Sequence, residues 1–210
     1  MKKITLLLGF VAMITITSCG PTIYKSDNFE TSQAKIKTLA IIPFSTSIDS
    51  KRLPKDITLE TLKQSEEKTG YDVQNSVYTY FLQRNKDYSI EFQDVDRTNA
   101  ILRKNNLTYS DIALKDRAEL CQLLGVDGVV TGKISMSKPM SEGAAVAVGL
   151  LVGAWGATNK TDVTISVHDK DAKLQWKYDY QASGSVGSSS ENLAKSLMKN
   201  ASKKFPYKRA

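Results

Sequence analysis

Three segments in the second half of the chain constrain the fold most, because each alternates apolar and polar residues. They are 126–137, 161–168 and 173–181. Alternation with a period of two is typical of a β-strand that buries one face and exposes the other. The polar stretch 169–172 separates the last two segments and predicts a hairpin turn. Three such strands in series predict an antiparallel meander.

The first half of the chain predicts strands and helices in alternation. Residues 36–44 predict a strand whose apolar centre, 39–42, is buried on both faces, as in a central strand. The following stretch, 45–54, is polar and predicts a loop. Residues 59–85 carry apolar side chains at helical spacing, and Gly70 is expected to break or bend that helix.

Local end signals predict three further elements. Residues 88–93 alternate and predict a strand, and Asp96 then predicts the N-cap of a short helix. Ser110 or Asp116 is expected to start the next helix, since serine and aspartate favour N-caps, and Gly125 is expected just after its last turn. Pro206 is expected to end a last helix.

The predicted element order is therefore β-α-β-α-α-β-β-β-α. We expect an α/β fold in which a mixed sheet contains the antiparallel three-stranded meander and helices pack on that sheet.

The amino terminus predicts export. Lys2 and Lys3 precede an apolar run, 4–16, and small residues precede Cys19, as in a secretory signal peptide. The apolar run is too short to span a bilayer. The sequence Ile16-Thr17-Ser18-Cys19 resembles the lipobox of bacterial lipoproteins, which implies lipidation of Cys19. The alternative is an ordinary signal peptide followed by a cysteine without that role.

These features predict three regions. Residues 1–18 form the signal peptide, 19–35 the lipidated cysteine and a tether, and 36–210 a single α/β domain. Fully extended, the tether would reach roughly 50 Å. The formal net charge of +7 falls to +5 without Lys2 and Lys3, and Cys121 is then the only cysteine besides the lipidated one. An intrachain disulfide is therefore not expected.

An apolar insert, 142–158, separates the first two meander strands, and 143–157 carry no charge. As one helix it would span roughly 22 Å, short of a hydrocarbon core of roughly 30 Å. Three interpretations stay open: packing on the domain's own sheet, contact with a partner or a second copy, and shallow membrane insertion with Trp155 at the interface. The candidate contact residues are Val146, Val148, Gly149, Leu150, Leu151, Val152, Gly153 and Trp155.

A second candidate surface is the basic stripe Lys195, Lys199 and Lys203 in the last predicted helix. A stripe of this kind can meet anionic lipid headgroups, and a solvated helix face explains it equally.

Residues able to support catalysis or metal binding are sparse. His168 is the only histidine, and with Asp169 and Asp171 it suggests either a weak cation site or a solvated turn. Asp94 and Asp96 suggest either paired carboxylates or a strand end followed by a helix cap. We therefore predict no catalytic site, no metal, no cofactor and no small-molecule substrate.

Four stretches resemble a group of envelope lipoproteins that includes CsgG, LpoB and the amino-terminal domain of TolB. They are Ile41-Ile42-Pro43-Phe44, residues 123–134, the turn 169–173 leading into Trp176, and Phe205-Pro206-Tyr207. The resemblance implies an α/β fold, an envelope location, and a binding or assembly role without catalysis. It transfers no functional residue.

The leading hypothesis is a membrane-anchored periplasmic lipoprotein that binds or scaffolds cell-envelope assembly or secretion machinery. We expect a protein partner or self-association, membrane attachment through Cys19, and no nucleic acid. The alternative is a subunit of an oligomeric CsgG-like secretion channel, and the third class is an envelope hydrolase. Gly20 is not an acidic retention signal and favours the outer membrane, with the inner membrane and an outward-facing domain left open.

Overall fold

A computed structural model describes residues 20–49, 58–137, 160–182 and 190–209. Within these ranges the strands are β1 Thr22–Lys25, β2 Thr38–Ile41, β3 Ser45–Asp49, β4 Glu91–Phe92, β5 Gly128–Ser137, β6 Lys160–Asp169 and β7 Leu174–Ala182. The α-helices are α1 Phe29–Gln33, α2 Leu59–Leu82, α3 Val95–Lys104, α4 Tyr109–Leu114, α5 Arg117–Leu124 and α6 Ser190–Lys204.

The strands form one mixed sheet in the order β1-β7-β6-β5-β2-β4, and β3 also pairs with β5. Strands β5, β6 and β7 are antiparallel neighbours, which confirms the predicted meander. Strand β2 runs parallel to both β5 and β4. The predicted α/β fold with a mixed sheet is therefore confirmed.

Strand β2 occupies a central place, as its apolar centre predicts. Its residues Leu39, Ala40 and Ile41 are fully buried, and it ends just before Pro43. Leu39 and Ile41 face one core, while Ala40 faces the other. Since both faces of β2 are covered, near-continuous apolar sequence is required there.

Helices cover the sheet on both sides. Helices α1, α2 and α6 bury the apolar face of the meander, including Val130, Ile165 and Trp176, in the larger core. Helices α3, α4 and α5 cover Ala40 and Val129 on the opposite face in the smaller core. The result is a three-layer α/β/α arrangement.

The stretch predicted as a tether, 19–35, folds onto the domain from Thr22 onward. Strand β1 pairs antiparallel with β7, with Thr22 opposite Asp179. Helix α1 follows and places Phe29 in the core, 3% exposed. The tether prediction failed because all four residues of β1 are exposed, so its sequence has no apolar period.

The predicted loop 45–54 is also wrong at its start, where β3 forms a strand. Strand β5 is ten residues long, and β2 pairs only with its beginning. Strand β3 continues along the same edge, with Ser45 opposite Lys133 and Asp49 opposite Ser137. Backbone hydrogen bonds to β5 make this segment a strand, and a polar sequence gives no local sign of such pairing.

Gly70 does not break α2, which runs without interruption from Leu59 to Leu82. A Cβ at Gly70 would overlap the carbonyl oxygen of Phe44 and approach the Tyr109 ring to 2.6 Å. Glycine at this position therefore permits close packing of α2 against the chain that joins β2 to β3.

The helix ends follow the predicted chemistry with one correction. Asp94, rather than Asp96, caps α3, because its carboxylate accepts from the Arg97 N–H at 3.0 Å. Of the two predicted starts, Asp116 caps α5, whereas Ser110 lies within α4, which Thr108 caps. Gly125 ends α5 with a left-handed φ of 66°. Asp96 lies in the first turn of α3, where a negative charge favours the helix amino terminus.

Candidate functional site

Most residues proposed from the sequence as functional lie outside the described ranges. Cys19 and all the candidate contact residues of the insert are among them. Lys195 falls in α6 at a position whose side chain is not described, whereas Lys199 and Lys203 are exposed. The structure therefore bears on the insert and the lipidated cysteine through the residues that flank them.

One end of the sheet, which we call the anchor end, is formed by Ser137, Lys160 and Ala182. Strand β1 enters the sheet at Thr22, three residues after Cys19 and opposite Asp179, which lies three residues, or about 10 Å, from Ala182 along β7. Three residues reach at most about 11 Å, so the connection is long enough for Cys19 to reach this end. As a fully extended tether, residues 19–35 would have let Cys19 lie roughly 50 Å from the domain.

The apolar insert leaves and re-enters the fold at the same end. Ser137, the last residue of β5, pairs with Lys160, the first residue of β6. Thr161 in turn lies opposite Ala182, the last residue of β7. The register therefore brings Ser137 and Lys160, the described residues that flank the insert, to one end of the sheet, with the start of β1 about 10 Å from that end.

The amino-terminal part of α2 extends toward the anchor end as well. The Ile48 N–H donates to Glu66 Oε1 at 2.8 Å, and the Phe44 N–H donates to the Gly70 carbonyl at 3.1 Å. Helix α2 thus runs antiparallel to β3. Leu59 precedes Glu66 by about 10 Å of helix and is 68% exposed. A large apolar side chain is therefore exposed near this end.

The opposite end of the molecule, which we call the distal end, contains Asp127, the turn 169–173 and Tyr88. Strand β6 is ten residues long, which separates the two ends by about 30 Å. Between α1 and the turn lies an open cleft of about 140 Å³. Its polar lining includes Ser32, Lys35, Asp127, Lys170, Asp171 and Lys173.

Two of the three carboxylates that line this cleft, those of Asp127 and Asp169, accept hydrogen bonds that hold the fold together. Asp127 Oδ2 accepts from the backbone N–H groups of Lys37 and Thr38 at 2.8 and 2.9 Å. Asp169 Oδ1 accepts from the N–H groups of Asp171 and Lys173, and Oδ2 accepts from Gln175 at 2.7 Å. These contacts build the turn, which is the structural alternative considered from the sequence for Asp169 and Asp171.

His168 is half-buried and lies next to this turn. Burial, followed by the positive charge of Arg117, lowers the pKa of His168 below its usual value. Its Nδ1 atom is buried without a hydrogen-bond partner. In the described part of the chain, no group of three histidine, cysteine or acidic side chains is arranged to hold a metal ion.

One half of the second sheet face, outside the smaller core, is lined by polar side chains. Across β1, β7, β6 and β5 the register aligns Tyr24, Lys177, Ser166 and Thr131. Thr164 donates to Asp179 at 2.6 Å, and the Lys177 ammonium lies 2.7 Å from the same carboxylate. We call this surface the polar sheet face.

The chain segments at the distal end bring together basic residues that are distant in sequence. Tyr88 pairs with Lys208 as an isolated antiparallel bridge, and the Lys208 ammonium lies 4.8 Å from the Tyr88 ring centre. The sequence alone gives no sign of the contact between the residues after α6 and 84–88. No local signal links positions about 120 residues apart.

Among helices of the described ranges, none combines the length and apolar composition needed to cross a membrane.

No protein-family model matches the chain, and no curated protein matches it in sequence. Solved structures give weak likenesses. Lipoprotein GNA1162 from Neisseria meningitidis is 10% identical with a TM-score of 0.46, covering 80% of this chain and 96% of that one. The PelC dodecamer from Paraburkholderia phytofirmans is 12% identical with a TM-score of 0.43, covering 90% and 99%.

The LpoB carboxy-terminal domain from Salmonella enterica is 10% identical with a TM-score of 0.36, covering 74% of this chain and 96% of that one. LpoB belongs to the group that the sequence resembles, and GNA1162 is likewise a lipoprotein by its description. At these TM-scores and identities the likenesses assign neither a family nor a function. The functional argument therefore rests on the residues of this chain.

Proposed function

We propose that this chain is a lipoprotein, anchored through Cys19, that binds or scaffolds cell-envelope machinery without catalysis. Its domain stands with the anchor end against the membrane and the distal end about 30 Å away. The observation that carries this proposal is the pairing of β1 with β7, which holds Thr22, three residues after Cys19, about 10 Å from the anchor end.

Anchoring follows from the lipobox and the short connection after it. Each buried methylene of an acyl chain contributes about 0.8 kcal/mol, so several chains hold a protein stably on a bilayer. Strand β1 begins three residues after Cys19, which limits how far the domain can move from its anchor. The proposed location is the outer membrane with the domain in the periplasm, as the residue after Cys19 suggests.

The sheet offers the apolar insert little apolar surface in the described part of the chain. The apolar face of the meander is already covered by helices, and Ile134, Ile165 and Tyr178 are fully buried. The opposite side of the meander, the polar sheet face, carries hydroxyl and charged groups. This favours contact outside the domain for residues 142–158 over packing on its own sheet.

Among outside contacts, the membrane is the one that Cys19 brings to the anchor end. Residues Val146 to Val152 supply apolar side chains, and Trp155 suits the membrane interface. The proposed role of the insert is therefore shallow insertion that steadies the orientation of the domain. Contact with a partner or a second copy at the same end is the competing possibility.

Vesicle flotation tests the insert separately from the lipid. In the Cys19→Ser background, which lacks the anchor, we expect weak vesicle binding that the double substitution Leu150→Asp and Leu151→Asp abolishes. The matched control is Leu82→Asp with Leu114→Asp, two exposed leucines elsewhere, which should leave binding unchanged. Equal binding of all three proteins would refute the membrane role of the insert.

Deletion of 142–158 tests the wider claim that the insert is the contact element. If the lipidated protein kept both its assembly state and its co-purifying partners after deletion, that assignment would fail. Light scattering of the detergent-extracted protein addresses the channel alternative. A large closed oligomer would favour a channel subunit, whereas a strict monomer would rule it out.

The absence of catalysis is proposed from the roles of the candidate residues. The Asp169 carboxylate is engaged by its own turn, and Asp94 caps α3. His168 has a buried, unpartnered Nδ1. Substituting His168 or Asp169 should therefore alter no turnover, and loss of a hydrolytic activity in either variant would contradict this part of the proposal.

A further inference from the structure

A group of basic side chains at the distal end has no assigned role. We call Arg84, Lys86, Lys208 and Arg209 the distal basic cluster. The two segments that contribute them, 84–89 and 205–209, contain four cations and a single carboxylate, Asp87. A concentration of one sign of charge favours an oppositely charged ligand.

Backbone hydrogen bonds hold the two segments together. The Ser89 N–H donates to the Tyr207 carbonyl at 3.0 Å, and the Arg209 N–H donates to the Asp87 carbonyl at 2.9 Å. The Arg209 side chain adds a bond from Nε to the Tyr88 carbonyl at 2.6 Å. The positions of Lys208 and Arg209 are thus fixed before any ligand binds, which lowers the entropic cost of binding.

The charges in the cluster are only partly compensated. The Arg84 guanidinium lies 3.0 Å from the Asp87 carboxylate, so the single carboxylate of the two segments already has a cationic partner. Burial, followed by the positive charge of Arg84, lowers the pKa of Lys208 below its usual value. Lys86 and Arg209 are exposed. An incoming anion would relieve the repulsion between these neighbouring cations.

We propose that the distal basic cluster binds an acidic segment of a protein partner, whose Asp or Glu carboxylates meet Lys208, Arg209 and Lys86. This assignment rests on the proposed function, because it takes the distal end to point away from the anchoring membrane. The separation of about 30 Å is several times the Debye length of about 8 Å at physiological salt. The lipids of that membrane are therefore too far away to be the ligand.

A binding measurement on the lipidated full chain tests the cluster. The protein is placed in nanodiscs of zwitterionic lipid, and a fluorescent oligo-glutamate peptide is titrated at low salt. Lys208→Gln combined with Arg209→Gln should weaken peptide binding by about tenfold, since two ion pairs are lost. The control, Lys104→Gln with Lys199→Gln, removes two exposed charges from α3 and α6 and should change binding by less than about twofold.

Charge reversal checks that a loss of binding is not a loss of folding. Lys208→Glu with Arg209→Glu should bind an oligo-lysine peptide that the unaltered protein does not bind. The proposal is overturned if the Gln variant binds oligo-glutamate like the unaltered protein, if the control loses as much, or if the unaltered protein does not bind it. Cluster-dependent capture of phosphatidylglycerol vesicles in preference to the peptide would also overturn it, by identifying a phosphate ligand.

The failure of this inference can be told apart from failure of the proposed function. Membrane anchoring and orientation are read from vesicle flotation, which does not involve the peptide. A protein that floats with vesicles but ignores oligo-glutamate would retain the proposed function and lose the distal partner site.

Discussion

Replacing Phe29 with alanine distinguishes a folded start of the domain from a free tether. Phe29 is 3% exposed, and its ring centre lies 5.2 Å from that of Tyr207. The Lys25 ammonium lies 5.1 Å above the same ring. These contacts join α1 to the end of the chain and to the larger core.

The expected cost follows from the loss of the buried ring. Truncating a buried phenylalanine to alanine lowers the free energy of unfolding by about 3–5 kcal/mol, because apolar contact is lost and a cavity is left. Helix α1 has only five residues and lies at the surface, so the site can partly collapse. We therefore expect about 3 kcal/mol. If residues 19–35 were a free tether, Phe29→Ala would change the free energy of unfolding by less than about 0.5 kcal/mol.

Urea unfolding followed by tryptophan fluorescence provides the measurement, since Trp176 is fully buried in the same core. The urea concentration at the midpoint of unfolding should fall, while the slope of the free energy of unfolding against urea concentration stays constant. Thr31→Ala, an exposed position on α1, is the matched control and should change the free energy of unfolding by less than about 0.5 kcal/mol. A Phe29→Ala protein as stable as this control would refute the docking of residues 22–33.

Three further predictions concern the packing of α2 and the lone described cysteine. Tyr109→Phe removes a hydroxyl that donates to the Phe44 carbonyl at 2.5 Å and accepts from the Thr46 N–H at 2.9 Å, so urea unfolding should show a loss of about 1–3 kcal/mol. Gly70→Ala should destabilise by about 1–3 kcal/mol in the same assay despite the better helix propensity of alanine, because its Cβ meets the Phe44 carbonyl. Burial raises the pKa of Cys121 to about 12, so its labelling by a thiol reagent at pH 8 should be about a thousandfold slower in the folded than in the unfolded protein. Stability gained at Gly70, unchanged stability at Tyr109, or rapid labelling of the folded protein would each contradict the described packing.

The elements that were predicted correctly are those specified by local sequence. Strand β2 has an apolar centre, and the meander strands alternate apolar and polar residues. Asp116 caps the start of α5, and Gly125 follows its last turn. Strands β1 and β3 were missed because their polar residues carry no apolar period, and only their pairing with distant strands makes them strands. Gly70 was misread because its role depends on Phe44, which is distant in sequence.

The same distinction between local signals and contacts of distant residues applies to the candidate functional regions. Cys19 and the insert were identified from composition, because a lipobox and an uncharged apolar run are local signals. The placement of the residues that flank the insert at one end depends on the register of β5 against β6, and the distance of Thr22 from that end depends on the register of β1 against β7. The distal basic cluster depends on the bridge between Tyr88 and Lys208. Such relations between distant positions are set by tertiary packing and have no signature in a single sequence.

The orientation of the domain on the membrane is the central claim, and fluorescence energy transfer to labelled lipid tests it directly. Gln181 is exposed and lies opposite Asp162, whereas Lys170 follows the far end of β6. Single dyes on Gln181→Cys and Lys170→Cys in the lipidated protein report the two ends, while the buried Cys121 stays unlabelled. Seven residues of strand predict that the Gln181 dye lies about 20 Å nearer the bilayer. Equal distances, or a nearer Lys170 dye, would contradict the end-on arrangement.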